Sequence, residues 1–216
     1  MALFSYDKLK SKSRNLKLNE SNNLDFNIIA SIENKYESIS IEEMDNVGVG
    51  KCNISKNFDI FLSHSYQDKE IIPALKNELE NMGYSVYVDW ISDGCISRNK
   101  DINKETASIL QKRMKQSKCL LYATSDNSQR SRWMPWELGY FDGIKDKMVG
   151  ILPIKKDTNN FQNDFKGEEY LGLYYYIDKD TINGTNKEAL WVKESFTKYI
   201  IFDSWLKNGT QPYERR

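Results

Sequence analysis

Apolar residues along the chain fall into short runs that alternate with amphipathic stretches from Asn57 to about residue 207. Five runs of mostly aliphatic, β-branched or aromatic residues predict strands: FDIFLS (58–63), YSVYVD (84–89), KCLLYA (118–123), KMVGILPI (147–154) and LGLYYYI (171–177). Short runs that are nearly continuously apolar are typical of parallel strands covered by helices on both faces.

The stretches between these runs have helical spacing. In KEIIPALKNELENMG the apolar positions recur every three or four residues, at Ile72, Leu75, Leu79 and Met82. Gly83 follows, which indicates a helix closed by glycine. We expect further helices at about 102–114 and 133–144, and a last one at 186–207 that ends at Gly209. The alternation predicts the α/β class, with a flavodoxin-like five-stranded parallel sheet and helices on both faces.

Composition sets the domain boundaries. Residues 1–56 are rich in Asn, Ser and Lys, so we predict an N-terminal extension there, one domain at 57–207 and a C-terminal tail at 208–216. A chain of 216 residues has room for one such domain with additions. No stretch approaches the roughly 20 apolar residues of a membrane span, and the N-terminus lacks the apolar segment of a secretion signal.

Charge and cysteine content narrow the function classes. Lys and Arg number 31, as do Asp and Glu, so no net field attracts nucleic acid or an anionic membrane, and we expect neither as a partner. Cys52, Cys95 and Cys119 have no CxxC spacing, which predicts reduced thiols in a cytoplasmic protein. Because His64 is the only histidine and the cysteines are scattered, we expect no metal site.

Several common active sites have no counterpart here. The segment GVGKCNIS at 48–55 is neither a GxxxxGK[ST] phosphate loop nor a GxGxxG turn, and it precedes the first predicted strand. A serine hydrolase would use His64 as its base, but Ser63 and Ser65 are its chain neighbours at a strand end and point away from it. A phospho-acceptor site would need acidic residues after the first and third strands, where Ser-His-Ser and Ala-Thr-Ser stand instead.

The segment SRWMPWELGYFDG (131–143) carries the most suggestive chemistry. Trp133 and Glu137 are one helical turn apart and therefore share a face. A carboxylate can stabilise the oxocarbenium-like state of glycosidic cleavage, and an indole beside it can hold a substrate ring. The alternative is that both tryptophans pack the helix and Glu137 complements the helix N-terminus. We expect Trp136 to lie in the core and Glu137 to face an open cleft.

Three blocks occur in order at the predicted strand ends: FDIFLSHSYQDKE, GYSVYVDW and SRWMPWELGYFDG. Together, over about residues 57–180, they resemble a TIR (Toll/interleukin-1 receptor) domain, particularly the free-standing prokaryotic kind. The resemblance implies that Glu137 is the catalytic residue for cleaving the nicotinamide–ribose bond of NAD⁺, and that Trp133, the motif tryptophan, is a substrate-binding residue. NAD⁺ is then the substrate, and no cofactor is implied.

In this family the loops after the first and second strands frame the substrate pocket. The resemblance implies that substrate-binding residues come from these loops: Ser63, His64, Ser65, Tyr66, Asp89, Trp90 and Arg98. From the residues alone, Asp89 could equally cap its own loop, and Arg98 could be a solvated surface charge. Some TIR enzymes have arginines after the first strand, where this chain has Ser65 and Tyr66, so its phosphate contacts stay unassigned.

The family likeness implies an NAD⁺ glycohydrolase or ADP-ribosyl cyclase whose linear or cyclic product is a signal in an anti-phage system such as Thoeris. It also implies self-association through TIR surfaces and a separate downstream effector protein. Two alternatives stay open at this point. One is a non-catalytic TIR adaptor; the other is a nucleoside deoxyribosyltransferase-like enzyme, which shares a flavodoxin-like sheet and a glutamate that acts at an anomeric carbon.

Overall fold

A computed structural model describes residues 4–20, 56–93, 104–156 and 169–214. The strands within these residues are β1 Phe4–Ser5, β2 Phe58–Ser63, β3 Val86–Tyr87, β4 Ser117–Thr124, β5 Val149–Lys155, β6 Tyr175–Thr181, β7 Glu188–Lys193, β8 Lys198–Ile201 and β9 Tyr213–Glu214. The helices are α1 Tyr6–Glu20, α2 Ile72–Asn81, α3 Asp89–Ser92, α4 Lys104–Lys115, α5 Trp133–Ile144 and α6 Phe202–Asn208. Short 3₁₀ turns lie at Tyr66–Asp68, Ser128–Arg130 and Glu169–Leu173.

Five parallel strands form the centre of the sheet in the order β3-β2-β4-β5-β6. This is the flavodoxin-like order, so the predicted parallel α/β sheet is confirmed. The strand predicted at 84–89 is shorter, because the chain turns into the single helical turn α3 at Asp89. The strand predicted at 171–177 begins later, at Tyr175, since residues Glu169–Leu173 form a 3₁₀ turn.

The helix predicted at 186–207 is wrong over most of its length. Residues Glu188–Lys193 and Lys198–Ile201 are antiparallel strands that continue the sheet from β6, and only Phe202–Asn208 is helical. Leu190 and Val192 are buried while their neighbours along β7 are more exposed, which is the period of a strand. The predicted end is correct, because Gly209 adopts φ +65° and donates its N–H to Trp205.

The N-terminal residues 4–20 pack against the domain. β1 pairs in parallel with the carboxyl end of β5, where Phe4 lies opposite Ile154, beyond the residues of β5 that pair with β6. α1 lies along α2, with Leu9 buried in the core and Lys10 3.0 Å from the carboxylate of Glu70. Residues 21–55 of the predicted extension lie outside the described part of the chain.

Two apolar cores lie on opposite faces of the sheet, because successive strand residues point to opposite sides. Ile60 of β2 belongs to the core under α1, α2 and α6, whereas its neighbour Phe61 belongs to the core under α4 and α5. Within the described residues, no helix is both long enough and apolar enough to cross a membrane. The arrangement leaves the loops after β2, β3 and β4 together at the carboxyl edge of the sheet, where ligands of such folds bind.

Candidate active site

Glu137 meets the end of the first central strand. It lies in the second turn of α5, and its Oε2 accepts a hydrogen bond of 2.6 Å from the hydroxyl of Ser63, the last residue of β2. The contact joins residues 74 positions apart in the chain, so it depends on the docking of α5 onto the sheet. Two of the residues that the sequence analysis placed in the site are therefore brought into direct contact.

The carboxylate of Glu137 is covered. Its side chain and that of Ser63 are both 0% exposed, so the expectation that Glu137 faces an open cleft is wrong for the isolated chain. A buried carboxylate is costly unless hydrogen bonds compensate for the lost hydration, and the hydroxyl of Ser63 supplies one of them. A substrate can reach this group only after the neighbouring side chains move.

The two tryptophans of α5 have the reverse of the predicted exposure. Trp133 is 7% exposed and belongs to the core beneath α4 and α5, whereas Trp136 is half-buried and packs at the margin of that core. Their rings meet edge to face with centroids 5.4 Å apart, and Trp136 stacks on Tyr140 at 5.8 Å. Trp133 therefore supports α5 from below, and Trp136 is the more accessible indole.

His64, Asp89 and Trp90 form a second cluster of predicted site residues. Nδ1 of His64 lies 2.9 Å from the carbonyl oxygen of Leu62, and Nε2 accepts the indole N–H of Trp90 at 3.1 Å. These partners assign a neutral ring with its proton on Nδ1, since a nitrogen that accepts carries no hydrogen. The carboxylate of Asp89 lies 3.7 Å from Nε2 of the same ring, beyond hydrogen-bond distance.

The remaining predicted residues have local roles or lie outside the described part. Ser65 is buried and accepts the backbone N–H of Gln67 at 3.3 Å, so it caps the 3₁₀ turn that follows β2. The ring of Tyr66 is partly exposed and lies under the ammonium group of Lys69 at 5.0 Å. Arg98 is outside the described residues.

Asp68 is a buried residue at this edge that the sequence analysis did not single out. Its carboxylate accepts hydrogen bonds from the hydroxyl of Ser125 at 2.5 Å and from the side-chain amide of Asn127 at 2.7 Å. Burial raises the pKa of Asp68 above its usual value, although both hydrogen bonds act in the opposite direction. Asp68 thereby ties the loop after β2 to the segment that leads into α5.

Comparison with known proteins assigns the family. Residues 60–190 match the TIR domain family. A protein of Bacillus cereus (strain MSX-D12) named "Probable 3' cyclic ADP-D-ribose synthase ThsB'" is 50% identical over 159 residues, which are 73% of this chain and 80% of that protein.

The chain belongs to the TIR domain family. A second relative, from Cytobacillus dafuensis, is provisionally named a cyclic ADP-D-ribose synthase, TIR2; it is 35% identical over 130 residues, 60% of this chain and 32% of that protein. The matched segment contains both the Ser63–Glu137 contact and the His64–Trp90 contact. It begins inside β2 and ends inside β7, so β1 and α1 precede the matched residues and β8, α6 and β9 follow them.

A buried ion pair borders the site of this TIR domain and has no recognisable signal in the sequence. Asp93, which follows α3, accepts two hydrogen bonds from Arg113 of α4, at 2.6 and 2.7 Å. The hydroxyl of Tyr87 also donates to Asp93, at 2.9 Å, and burial raises the pKa of that phenol. Nothing in the spacing of Asp93 and Arg113 predicts their contact, because they come from different elements.

Metal chemistry has no visible basis in the described part of the TIR domain. No group of three or more His, Cys, Asp or Glu side chains there could hold a metal ion. Cys119 is buried within β4, and burial raises the pKa of its thiol well above the usual value. A thiol that stays protonated is a poor metal ligand and a poor nucleophile. Carboxylates, which have the chemistry for a glycosidic substrate, are present at this edge in Asp68, Asp89 and Glu137.

Proposed function

We propose that this chain is an NAD⁺ nucleosidase that cleaves the nicotinamide–ribose bond, with Glu137 as its catalytic residue. The observation that carries the proposal is the Glu137 carboxylate at the carboxyl edge of the sheet, held by the hydroxyl of Ser63 at 2.6 Å. The names of the two TIR relatives, both cyclic ADP-D-ribose synthases, support the choice of substrate. NAD⁺ is consumed as the substrate, and the reaction needs no cofactor.

The reaction that Glu137 would assist is a dissociation at the anomeric carbon. The bond between C1′ of the ribose and the pyridinium nitrogen breaks, and its electron pair goes to that nitrogen, so nicotinamide leaves as a neutral base. No general acid is needed for this departure. The positive charge that develops on the ribose is stabilised by the carboxylate, whose effect is strong because Glu137 is shielded from water.

The fate of the ribosyl cation decides the product. Capture by water gives ADP-ribose and releases a proton. Capture by a hydroxyl of the same molecule gives a cyclic ADP-ribose, which contains one water fewer, and also releases a proton. We favour the cyclic product, because the relative at 50% identity is named a 3′ cyclic ADP-D-ribose synthase. A site that closed again around bound NAD⁺ and excluded water would also favour the internal nucleophile.

Self-association belongs to the proposal. In the isolated chain the carboxylate is covered, so we propose that contacts between TIR surfaces rearrange the loops around Glu137 and admit NAD⁺. The product would act in the cytoplasm as a signal in anti-phage defence of the Thoeris type, and a separate effector protein would respond to it. His64, Asp89 and Trp90 at the same edge, with Ser65, Tyr66 and Arg98, are the proposed substrate-binding residues.

The test is product analysis with NAD⁺ at high protein concentration. Wild type, Glu137→Gln and the surface control Glu188→Gln are incubated with NAD⁺, and nicotinamide and ribosyl products are measured by mass spectrometry. Glu137→Gln keeps the shape of the side chain and removes its charge, so nicotinamide release is expected to fall by at least about a hundredfold. The side chain of Glu188 is 58% exposed, so we expect Glu188→Gln to leave nicotinamide release unchanged.

The product masses separate the alternatives. A cyclic product is lighter than ADP-ribose by one water, so its presence supports the cyclase form of the proposal. If wild type releases no nicotinamide at any concentration and exchanges no bases between deoxynucleosides, the adaptor alternative replaces the enzymatic proposal. If deoxynucleosides exchange their bases while NAD⁺ stays intact, the deoxyribosyltransferase alternative replaces it.

A further inference from the structure

Ser63 holds a fixed place at the centre of the sheet. It is the last residue of β2 and lies opposite Tyr122 of β4, so the backbone that carries its hydroxyl is set by the parallel ladder. Its side chain is 0% exposed, and its hydroxyl hydrogen is directed to Oε2 of Glu137 at 2.6 Å. This distance is in the range of hydrogen bonds to an ionised acceptor, which are stronger than those between neutral groups.

The hydroxyl of Ser63 is thus engaged by Glu137. A glutamate side chain has three rotatable bonds, so its carboxylate needs an external contact to stay in one position. α5 supplies the backbone of Glu137, whereas Ser63 supplies a partner on a different and more rigid element. The free energy of this contact favours the ionised carboxylate and favours one orientation of it.

We propose that Ser63 is a positioning residue, which acts on the reaction by holding the carboxylate of Glu137 in the correct orientation. This proposal differs from the expectation of the sequence analysis, in which Ser63 binds the substrate. The inference rests on the proposed function, because it assigns Ser63 a part in the same cleavage of NAD⁺.

A positioning role and a substrate-binding role differ in the kinetic parameter that they change. The charge of Glu137 acts mainly on the transition state, in which the ribose has become positive, so loss of its proper placement lowers kcat. The rest of NAD⁺ still binds through its other contacts, so KM changes little. Loss of a hydroxyl that bound NAD⁺ directly and equally in both states would raise KM and leave kcat unchanged.

The experiment compares Ser63→Ala, Ser63→Thr and Ser63→Cys with wild type under conditions in which wild type releases nicotinamide. For Ser63→Ala we expect kcat to fall by about tenfold to a hundredfold, the equivalent of one hydrogen bond to a charged group, with KM within about twofold. Ser63→Thr keeps the hydroxyl and should restore most of kcat. Ser63→Cys has a weaker hydrogen-bond donor of similar size, so its kcat should lie between those of Ser63→Ala and Ser63→Thr. It replaces the alanine or threonine variant in the comparison if that variant does not fold.

Ser117→Ala is the matched control. Ser117 is also 0% exposed, and its hydroxyl also makes a buried hydrogen bond, to the carbonyl oxygen of Arg113 at 2.8 Å, at the opposite end of β4. The Ser117→Ala variant loses a similar hydrogen bond at a place far from Glu137, so we expect its kcat to stay within about twofold of the wild-type value. Thermal unfolding of each variant shows whether the protein that is assayed is folded.

Three results would overturn the inference. An unchanged kcat in folded Ser63→Ala would show that Glu137 does not depend on Ser63, and a raised KM alone would return Ser63 to substrate binding. An equal loss of kcat in Ser117→Ala would make the effect a general one of buried hydrogen bonds. In each of these cases wild type still cleaves NAD⁺, so the proposed function survives; an inactive wild type defeats both.

Discussion

The guanidinium of Arg113 on α4 and the carboxylate of Asp93 after α3 form a two-point ion pair in which both side chains are almost completely buried. The Nη2–Oδ1 and Nε–Oδ2 distances are 2.6 and 2.7 Å. The pair fixes the end of the segment that carries Asp89 and Trp90, and its location in the core makes it sensitive to the loss of either partner.

We predict that Arg113→Met destabilises the protein by about 3–5 kcal/mol, because it leaves the charge of Asp93 buried without its counter-ion. Chemical denaturation gives the free energy of unfolding. Arg130→Met is the control, since Arg130 is exposed and its loss should change the free energy by less than about 0.5 kcal/mol. Equal unfolding midpoints for the two variants would contradict the prediction.

Gly150 lies in β5 between β4 and β6, and a Cβ atom there would be 2.7 Å from Cγ1 and Cδ1 of Ile177. It would also be 3.2 Å from Leu121. We therefore predict that Gly150→Ala destabilises by about 1–3 kcal/mol through overpacking. Adding Ile177→Val should cost less in the Gly150→Ala background than in wild type, because valine lacks Cδ1 and so removes one of the two close contacts.

Gly143 in α5 is the control position for the Gly150→Ala substitution. Nothing lies within 4 Å of the Cβ that an alanine would add there, and alanine is the better helix former. Gly143→Ala should therefore stabilise the protein or leave it unchanged. A loss of stability at Gly143 as large as that at Gly150 would show that packing against Ile177 is not the cause.

Asp68 gives a prediction about pH. Burial raises the pKa of Asp68 in the folded protein above its value in the unfolded chain, so the ionised form opposes folding. Its contribution to stability is fully present below the unfolded pKa and is lost as the pH rises through the folded pKa. The stability of Asp68→Asn relative to wild type should therefore improve as the pH is raised from about 4 to about 7.

Asp203 provides a control of opposite sign. Its hydrogen bond from Lys207, together with one from Tyr84, lowers the pKa of Asp203 despite partial burial. Its contribution is present above the unfolded pKa and is lost as the pH falls through the folded pKa. Asp203→Asn should therefore lose stability relative to wild type as the pH is raised from about 2 to about 4, below the interval used for Asp68. A stability of Asp68→Asn that falls relative to wild type as the pH rises from about 4 to about 7 would refute the assignment for Asp68.

The N-terminal helix yields a prediction about the extent of the folding unit. Leu9 of α1 is 1% exposed and belongs to the core over β2 and α2, so Leu9→Ala should destabilise by about 2–5 kcal/mol. Lys8→Ala at the exposed neighbouring position should have little effect. If Leu9→Ala unfolds at the wild-type midpoint, α1 is not part of the cooperative unit.

Much of the central fold follows from the sequence. The runs that became β2, β4 and β5 are continuous and apolar, and the stripe of α2 has unbroken helical spacing up to Gly83, so local pattern and tertiary structure agree there. Pro153 did not prevent the correct prediction of β5. Proline has no backbone N–H to donate, but Pro153 lies between the two paired segments on that side of β5. Residues 150–151 pair with β6, and residues 154–155 pair with β1.

The C-terminal strands could not be read from periodicity in the same way. The segment from 186 to 207 has many good helix formers, and its apolar positions fit a helix as well as a strand. Pairing with β6 decides between them, and that contact is invisible in a local window. The error is confined to one side of the sheet, away from Glu137.

The sequence indicated which residues lie at the candidate site, but it did not indicate how they contact one another or how deeply they are buried. Ser63 and Glu137 both follow from the motif blocks, but their direct contact and complete burial depend on how α5 docks. The exposures of Trp133 and Trp136 were predicted the wrong way round, because two tryptophans three positions apart on one helix both fit the core by spacing. Asp68 was missed because an isolated acidic residue in a polar loop has no distinguishing pattern.

The two margins of the described sheet, β3 and β9, are only two residues long each. An exposed strand recruits another chain through its unpaired amide and carbonyl groups, and such a short strand offers very few of them. Copies of this chain that meet at either of these margins therefore find little backbone to extend into a continuous sheet. Copies joined at these two margins would be held by side chains and would separate without breaking a long hydrogen-bonded seam.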